Sequence, residues 1–194
     1  INLKINSDNT KNLKKISFED LPKYSKKLFD LILSNTRHLK NPIEINREYQ
    51  FEKWGPLLKY FEKKRCFSLE DVENHHENLQ EKHLCYVNGE LYITSRLHAN
   101  QMHLDLYQKV LLKHLHGASS LVELGAGFGA KIFKLSQNKK FKNIPLKAGE
   151  YTVAGIKLIK LLGKNTNVDI EVGYCDFQEM VIKDFKIPQN AVIF

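Results

Sequence analysis

Cysteine is scarce in this sequence, and none of it is paired as disulfides or zinc require. Cys66, Cys85 and Cys175 are odd in number, scattered and without CxxC spacing. That excludes a disulfide frame and a zinc knuckle and predicts reduced thiols in a cytoplasmic protein. Long apolar runs are missing too. No uninterrupted stretch suffices to cross a bilayer and the first residues carry no secretory pattern, so no membrane span is expected. The histidines lack metal-ligand spacing. His76 and His83 would stand about 10 Å apart along a helix, beyond the reach of one ion. His75 meets Leu79 four residues on, and His114 and His116 point two ways at a helix end. No metal is therefore expected. "LLGKN" around Gly163 lacks the earlier glycine and the hydroxyl of a phosphate loop and reads as a helix stop. The chain has no internal repeat and no low-complexity tract.

What it has in excess is positive charge. Lys and Arg number 30 against 22 acids, a net charge of +8. This balance permits an anionic partner such as nucleic acid, a nucleotide-sugar or an acidic membrane face. The lysines are spread along the whole chain, however, which favours a solvated surface over a dedicated basic groove. With 194 residues, 42% of them hydrophobic, the chain can build one good core or two small ones. It opens at Ile1 rather than Met and closes at "NAVIF", inside a strand-like apolar run. Strands rarely end a chain unpaired, so these residues are expected to be a segment of something longer.

Patterning divides the chain into a mainly helical region over 1–117, with a hairpin near 84–94, and a strand–helix alternation over 118–194. Residues 1 to about 16 are polar and expected to be loose. Ser17 with Asp20 resembles a capping box ahead of Leu21, Tyr24, Leu28 and Leu31, and Asn41-Pro42 breaks that helix. Trp54, Leu57, Leu58 and Phe61 predict a second helix with Pro56 in its first turn. The stripe reads as core in preference to a substrate lid. Ser68 and Asp71 start a third helix, with Val72, His76, Leu79 and His83 on one face. "HLCYVNGELYIT" is a hairpin around Asn88-Gly89, and a long helix from about Ala99 to His116 ends at Gly117. Beyond it the spacing predicts strands at Leu121–Leu124, "IPLKAGE", "VDIEVGYCDF" and "AVIF", with helices at Ala130–Ser136 and Thr152–Leu162. The expected fold class is α/β: a Rossmann-like parallel sheet, about four strands of it visible, behind a mainly helical N-terminal region.

The chemistry concentrates in "SSLVELGAGFGAKIFKLS", Ser119–Ser136. A strand, a glycine-rich turn and a helix let a ligand lie directly on main-chain N–H groups with no Cβ to hold it off. Gly125, Gly127 and Ala130 fit G-x-G-x-x-G/A, and Gly125, Gly127 and Gly129 fit the tighter G-x-G-x-G, with Ala126 inside the turn. Glu123 separates the possibilities. A carboxylate two residues before the first glycine opposes a pyrophosphate and welcomes a cationic amino end. S-adenosylmethionine carries that ammonium and has no phosphate. Glu150, 25 residues after Gly125, ends the second strand, with Tyr151 beside it, where an acid can accept from both ribose hydroxyls. Asp176 ends the third strand, where a carboxylate could take the adenine amino group and Phe177 could lie against the base. Three acids on three successive strand ends face the side of an open sheet where ligands bind.

"VELGAGFG" resembles the first motif of class I S-adenosylmethionine-dependent methyltransferases, an acid followed by glycines at alternate positions. The resemblance covers about Leu121 to Phe194. It implies S-adenosyl-L-methionine as cofactor and a seven-stranded sheet, of which four strands would be present. The helices, the "NG" hairpin and the long helix before the motif are similar to those of bacterial sugar O-methyltransferases. This implies a hydroxyl acceptor on a small polar molecule, such as a sugar or nucleotide-sugar. A hydroxyl must lose its proton, and His98 and His103, on the helix leading into the first strand, are the candidates to take it. The rival readings are RNA or protein methylation, a non-catalytic binding module that retains the fold, and a nicotinamide-dependent oxidoreductase. Glu123 argues against the last.

Overall fold

A computed structural model describes residues 12–34 and 41–194. The expected loose residues 1–11 lie outside the described residues. Lys14–Ile16 form a strand, β1, where loose chain was expected. The Ser17–Asp20 turn leads into α1 (Leu21–Tyr24), and the chain breaks at Ser25 before α2 (Lys26–Ser34). The single expected helix is therefore two, because Ser25 leaves helical geometry and its hydroxyl accepts from the Leu28 N–H. Next come α3 (Pro42–Asn46), a π-helical turn over Arg47–Lys53, α4 (Trp54–Phe61) and α5 (Leu69–His76). The hairpin is β2 (Lys82–Val87) and β3 (Glu90–Ser95), with Asn88 and Gly89 at φ +51° and +86° as a type I′ turn requires. Then follow α6 (Arg96–Leu112), β4 (Leu121–Leu124), α7 (Ala130–Ser136), β5 (Leu146–Glu150) and α8 (Val153–Thr166). The chain closes with β6 (Glu171–Asp176), β7 (Val181–Ile182) and β8 (Val192–Ile193).

The chain folds as two compact units whose limits differ from a single boundary at 117. One joins the described residues up to Ser34 with Asn78–Tyr107, and the other joins Asn41–Glu77 with Gln108–Phe194. In the first unit, β3 pairs antiparallel with both β1 and β2, and Leu21, Ile16 and Ile93 are buried. Residues 41–77 belong with the second unit for a packing reason. The stripe Trp54, Leu57, Leu58 and Phe61 is buried, and α4 packs on α8. Sequestering each such side chain contributes about 1.5–3 kcal/mol.

The second unit is an α/β structure with a Rossmann-like sheet. Its five strands run in the order β7-β6-β5-β4-β8, with β6, β5, β4 and β8 parallel and β7 antiparallel to β6. The parallel strands thus stand 3-2-1-4, as in the first half of a doubly wound sheet. Burial explains their apolar runs. Leu121, Val122 and Ala148 are inaccessible, as are Ile132 and Leu135 of α7 and Leu158, Ile159 and Leu162 of α8.

Three helix limits depart from the sequence reading. α5 stops at His76 because Glu77 turns extended, so Leu79 and His83 do not continue its face, and His83 lies on β2. α6 begins at Arg96 and ends at Leu112 rather than running from Ala99 to His116. α8 passes through Gly163, ends at Thr166 and is capped by Asn167, φ +54°, with the Val168 N–H closing back on the Gly163 carbonyl at 3.0 Å. A Cβ on Gly163 would stand 2.9 Å from the Val168 carbonyl oxygen. The glycine therefore permits the closing turn from inside the helix instead of stopping it.

Candidate functional site

β4 feeds directly into the turn Gly125–Gly129, where Gly125, Gly127 and Gly129 hold φ of +74°, +59° and +85°. These left-handed values suit glycine and strain most other residues. The turn does not offer the set of donors that the sequence suggests. The N–H groups of Gly125 and Ala126 donate to the Gly149 carbonyl at 2.8 and 3.0 Å, and that of Gly129 donates to the Ala126 carbonyl at 2.8 Å. The Gly127 N–H donates to Glu150 Oε2 at 2.9 Å. The turn is thus laced to the end of β5, and these four amides already have acceptors within the chain. What the glycines provide is close approach.

A cavity of about 450 Å³ opens over the turn, a volume in the range of small-molecule sites. Glu123, Glu150 and Asp176, from the carboxyl ends of three neighbouring strands, all line it, as do Gly125, Ala126, Gly127, Tyr151 and Phe177. Gly129 is not part of the lining. A Cβ there would come within 3.1 Å of the Phe133 ring, so this glycine lets α7 start against its own core. His98 and His103 lie on α6 in the first unit and are not among the lining residues.

The three acids have different environments. Glu123 is 3% exposed, and its carboxylate accepts from the Ile132 N–H at 3.1 Å. Burial pushes its pKa up to about 7; the neighbouring Lys131 charge and the Ile132 N–H oppose that shift, and Glu150 adds to it. Glu150, 5% exposed, accepts from Gly127 through one oxygen. Its other oxygen accepts from the Thr152 N–H at 3.0 Å and the Thr152 hydroxyl at 2.7 Å. Gly155 makes this latch possible, since a Cβ there would stand 2.6 Å from Glu150 Cγ and 2.8 Å from the Gly127 carbonyl oxygen. Asp176 accepts from the N–H groups of Glu179 and Gln178 and from the Tyr174 hydroxyl, with the Glu179 bond foremost in holding its carboxyl below the usual range. Phe177 lies over the turn, its Cε2 3.3 Å from where a Gly125 Cβ would be. Cys175 also lines the cavity, and burial, with Glu150 and Asp176 nearby, pushes its thiol up.

Sequence reasoning missed one wall. Pro42, Ile45 and Tyr49 line the cavity from α3 and the π turn, and Trp54 lines it from the start of α4. Gln50 fixes the wall in place, its Oε1 accepting the Ala154 N–H at the start of α8 at 2.9 Å. Such π turns often mark functional sites. The legible trace of this one is Gly55, where a Cβ would collide with the Gln50 carbonyl. Trp54, read as core, is both: it is buried, stacks edge-on against Phe128 at 5.5 Å and contributes to the lining.

No family model matches the chain, and no curated protein does. Among solved structures, the crystal structure of coclaurine N-methyltransferase bound to N-methylheliamine and SAH is similar to it. The TM-score is 0.39 at 19% identity, over 83% of this chain and 45% of that one. The chain therefore spans less than half the length of that neighbour.

Proposed function

We propose that this chain carries the cofactor site of an S-adenosylmethionine-dependent methyltransferase whose acceptor is a hydroxyl on a small polar molecule such as a sugar. The observation that carries the reading is Glu123, a buried carboxylate lining a cavity over a turn whose glycine amides are already engaged. A pyrophosphate needs donors and positive charge there. The site instead gathers three carboxylates, Glu123, Glu150 and Asp176, which favour a ligand with a cationic amino end and hydroxyls to donate. Bound, the cofactor supplies an electrophilic methyl group on a sulfonium. Glu123 would receive its ammonium. The unused lone pairs of Glu150 would accept from the ribose hydroxyls, and Asp176 and Phe177 would receive the adenine. Tyr49 and Trp54 supply apolar walls that keep water from the transfer path.

His98 and His103 are proposed to take the acceptor's proton. The test is transfer of labelled methyl from S-adenosylmethionine to a panel of sugars and nucleotide-sugars, with RNA and protein in parallel. Label on a sugar hydroxyl is the expected result. Label on RNA, lost steeply as salt is raised, would replace the sugar by nucleic acid. Binding without turnover on any acceptor would leave a non-catalytic module. Replacing both histidines with Ala is expected to lower turnover by about 10²-fold or more while leaving cofactor affinity unchanged.

A further inference from the structure

Trp54 is the one tryptophan of the chain. Its indole is 7% exposed, yet its Nε1–H has no hydrogen-bond partner, and the residue lines the cavity. A buried donor left unmade is costly, and native folds rarely keep one without a use. Its surroundings do not supply an acceptor in this state. The ring is packed by Tyr49, His76 and Phe128 at centroid distances of 5.9, 4.9 and 5.5 Å. Its Cζ2 edge sits 3.0 Å from where a Gly127 Cβ would stand, with Cε2, the carbon that bears Nε1, at 3.7 Å. The indole is therefore held against the glycine turn by packing on several sides, and its N–H is left unpartnered on a residue that lines the cavity.

We infer that the Trp54 indole N–H is a ligand donor that binds the α-carboxylate of the cofactor's amino-acid end. The inference rests on the proposed cofactor reading. If Glu123 receives the α-ammonium over the turn, the carboxylate one carbon away is a strong acceptor that must itself be satisfied. A carboxylate among Glu123, Glu150 and Asp176 needs a donor that adds no further negative charge. The four turn amides of Gly125, Ala126, Gly127 and Gly129 are engaged elsewhere. Of the buried side-chain groups left unpartnered among the described residues, the Trp54 indole N–H is the one on a residue that lines this cavity. A charge-assisted bond of this kind is about twice as strong as a neutral one, and it would relieve the cost of the unmade donor. Discrimination follows as well: a nucleoside lacking the amino-acid end leaves the donor orphaned.

Because the chain has a single indole, the native protein gives one indole ¹H–¹⁵N resonance, and no substitution is needed to observe it. S-adenosylhomocysteine is expected to move that proton downfield, as bonding to a carboxylate does. Methylthioadenosine, which has the nucleoside and thioether but no amino acid, is expected to bind and leave it near its free position. In calorimetry, Trp54→Phe keeps a ring against Gly127 without the N–H and should bind S-adenosylhomocysteine about tenfold more weakly, with methylthioadenosine unchanged. An unmoved indole resonance in the presence of bound S-adenosylhomocysteine would overturn the assignment while the cofactor reading stands. So would an equal shift by both nucleosides. Failure of the native protein to bind either nucleoside would instead overturn the cofactor reading, and this inference with it.

Discussion

S-adenosylhomocysteine is expected to bind about tenfold more tightly at about pH 8 than at about pH 6, with a proton released on binding at the lower pH. The cause is Glu123. Its burial holds the carboxyl up to about 7, so in mild acid the group is neutral and has no charge to offer an ammonium. Ionisation must precede binding, and affinity climbs as the pH rises through that value. Calorimetry in buffers of differing ionisation enthalpy reads the released proton directly. Glu123→Gln keeps the acceptor for the Ile132 N–H but removes the titration, so its affinity should be low and flat with pH. The ligand-free protein should show the opposite trend in stability. A carboxyl raised from 4.5 to about 7 on folding contributes stability that is fully present below about 4.5 and is lost as pH rises through about 7. That contribution is on the order of 3 kcal/mol. Chemical denaturation of the wild type and Glu123→Gln across this window measures it.

Glu150→Ala is expected to cost about 3 kcal/mol in urea unfolding, several times what an exposed acid would. Its carboxylate accepts from Gly127, the Thr152 N–H and the Thr152 hydroxyl while 5% exposed. Truncation strands two backbone donors and empties the space that the bare Gly155 leaves for the Glu150 side chain. Glu150→Gln should lose roughly half as much, since one amide oxygen can keep the Thr152 bonds while the NH₂ faces the Gly127 donor. Asp176→Ala, removing an acid whose hydrogen bonds among the described residues run to its own turn and Tyr174, belongs with surface changes of about 0.5 kcal/mol. If Glu150→Ala proved as mild as Asp176→Ala, the latch between the glycine turn and β5 would not be holding the site together.

The contrast between these acids shows what a sequence can carry. The strand Leu121–Leu124, the glycine turn and the helix Ala130–Ser136 were legible because each rests on local rules: apolar burial, positive φ and helical spacing. The hairpin at Asn88-Gly89, the Ser68–Asp71 capping box and Pro56 in the first turn of α4 follow from the same kind of rule. The meeting of Glu123, Glu150 and Asp176 in one cavity also follows, since parallel strands bring their carboxyl ends together. The wall of Pro42, Ile45, Tyr49 and Trp54 was not legible. It depends on the Gln50 to Ala154 bond across 104 positions, which no local pattern announces. The engagement of the Gly125, Ala126 and Gly127 amides was hidden for a similar reason, because their acceptors at Gly149 and Glu150 come from another strand. Helix limits failed where a turn closed from further along the chain, as at Gly163 with Val168.

The most direct measurement is a parallel calorimetric titration of the protein with S-adenosylhomocysteine and NAD near pH 8. Saturable binding of the first, weakened by Glu123→Ala, is the expected result, with no binding of the second. Preferential binding of NAD, or S-adenosylhomocysteine binding that ignores Glu123→Ala, would contradict it.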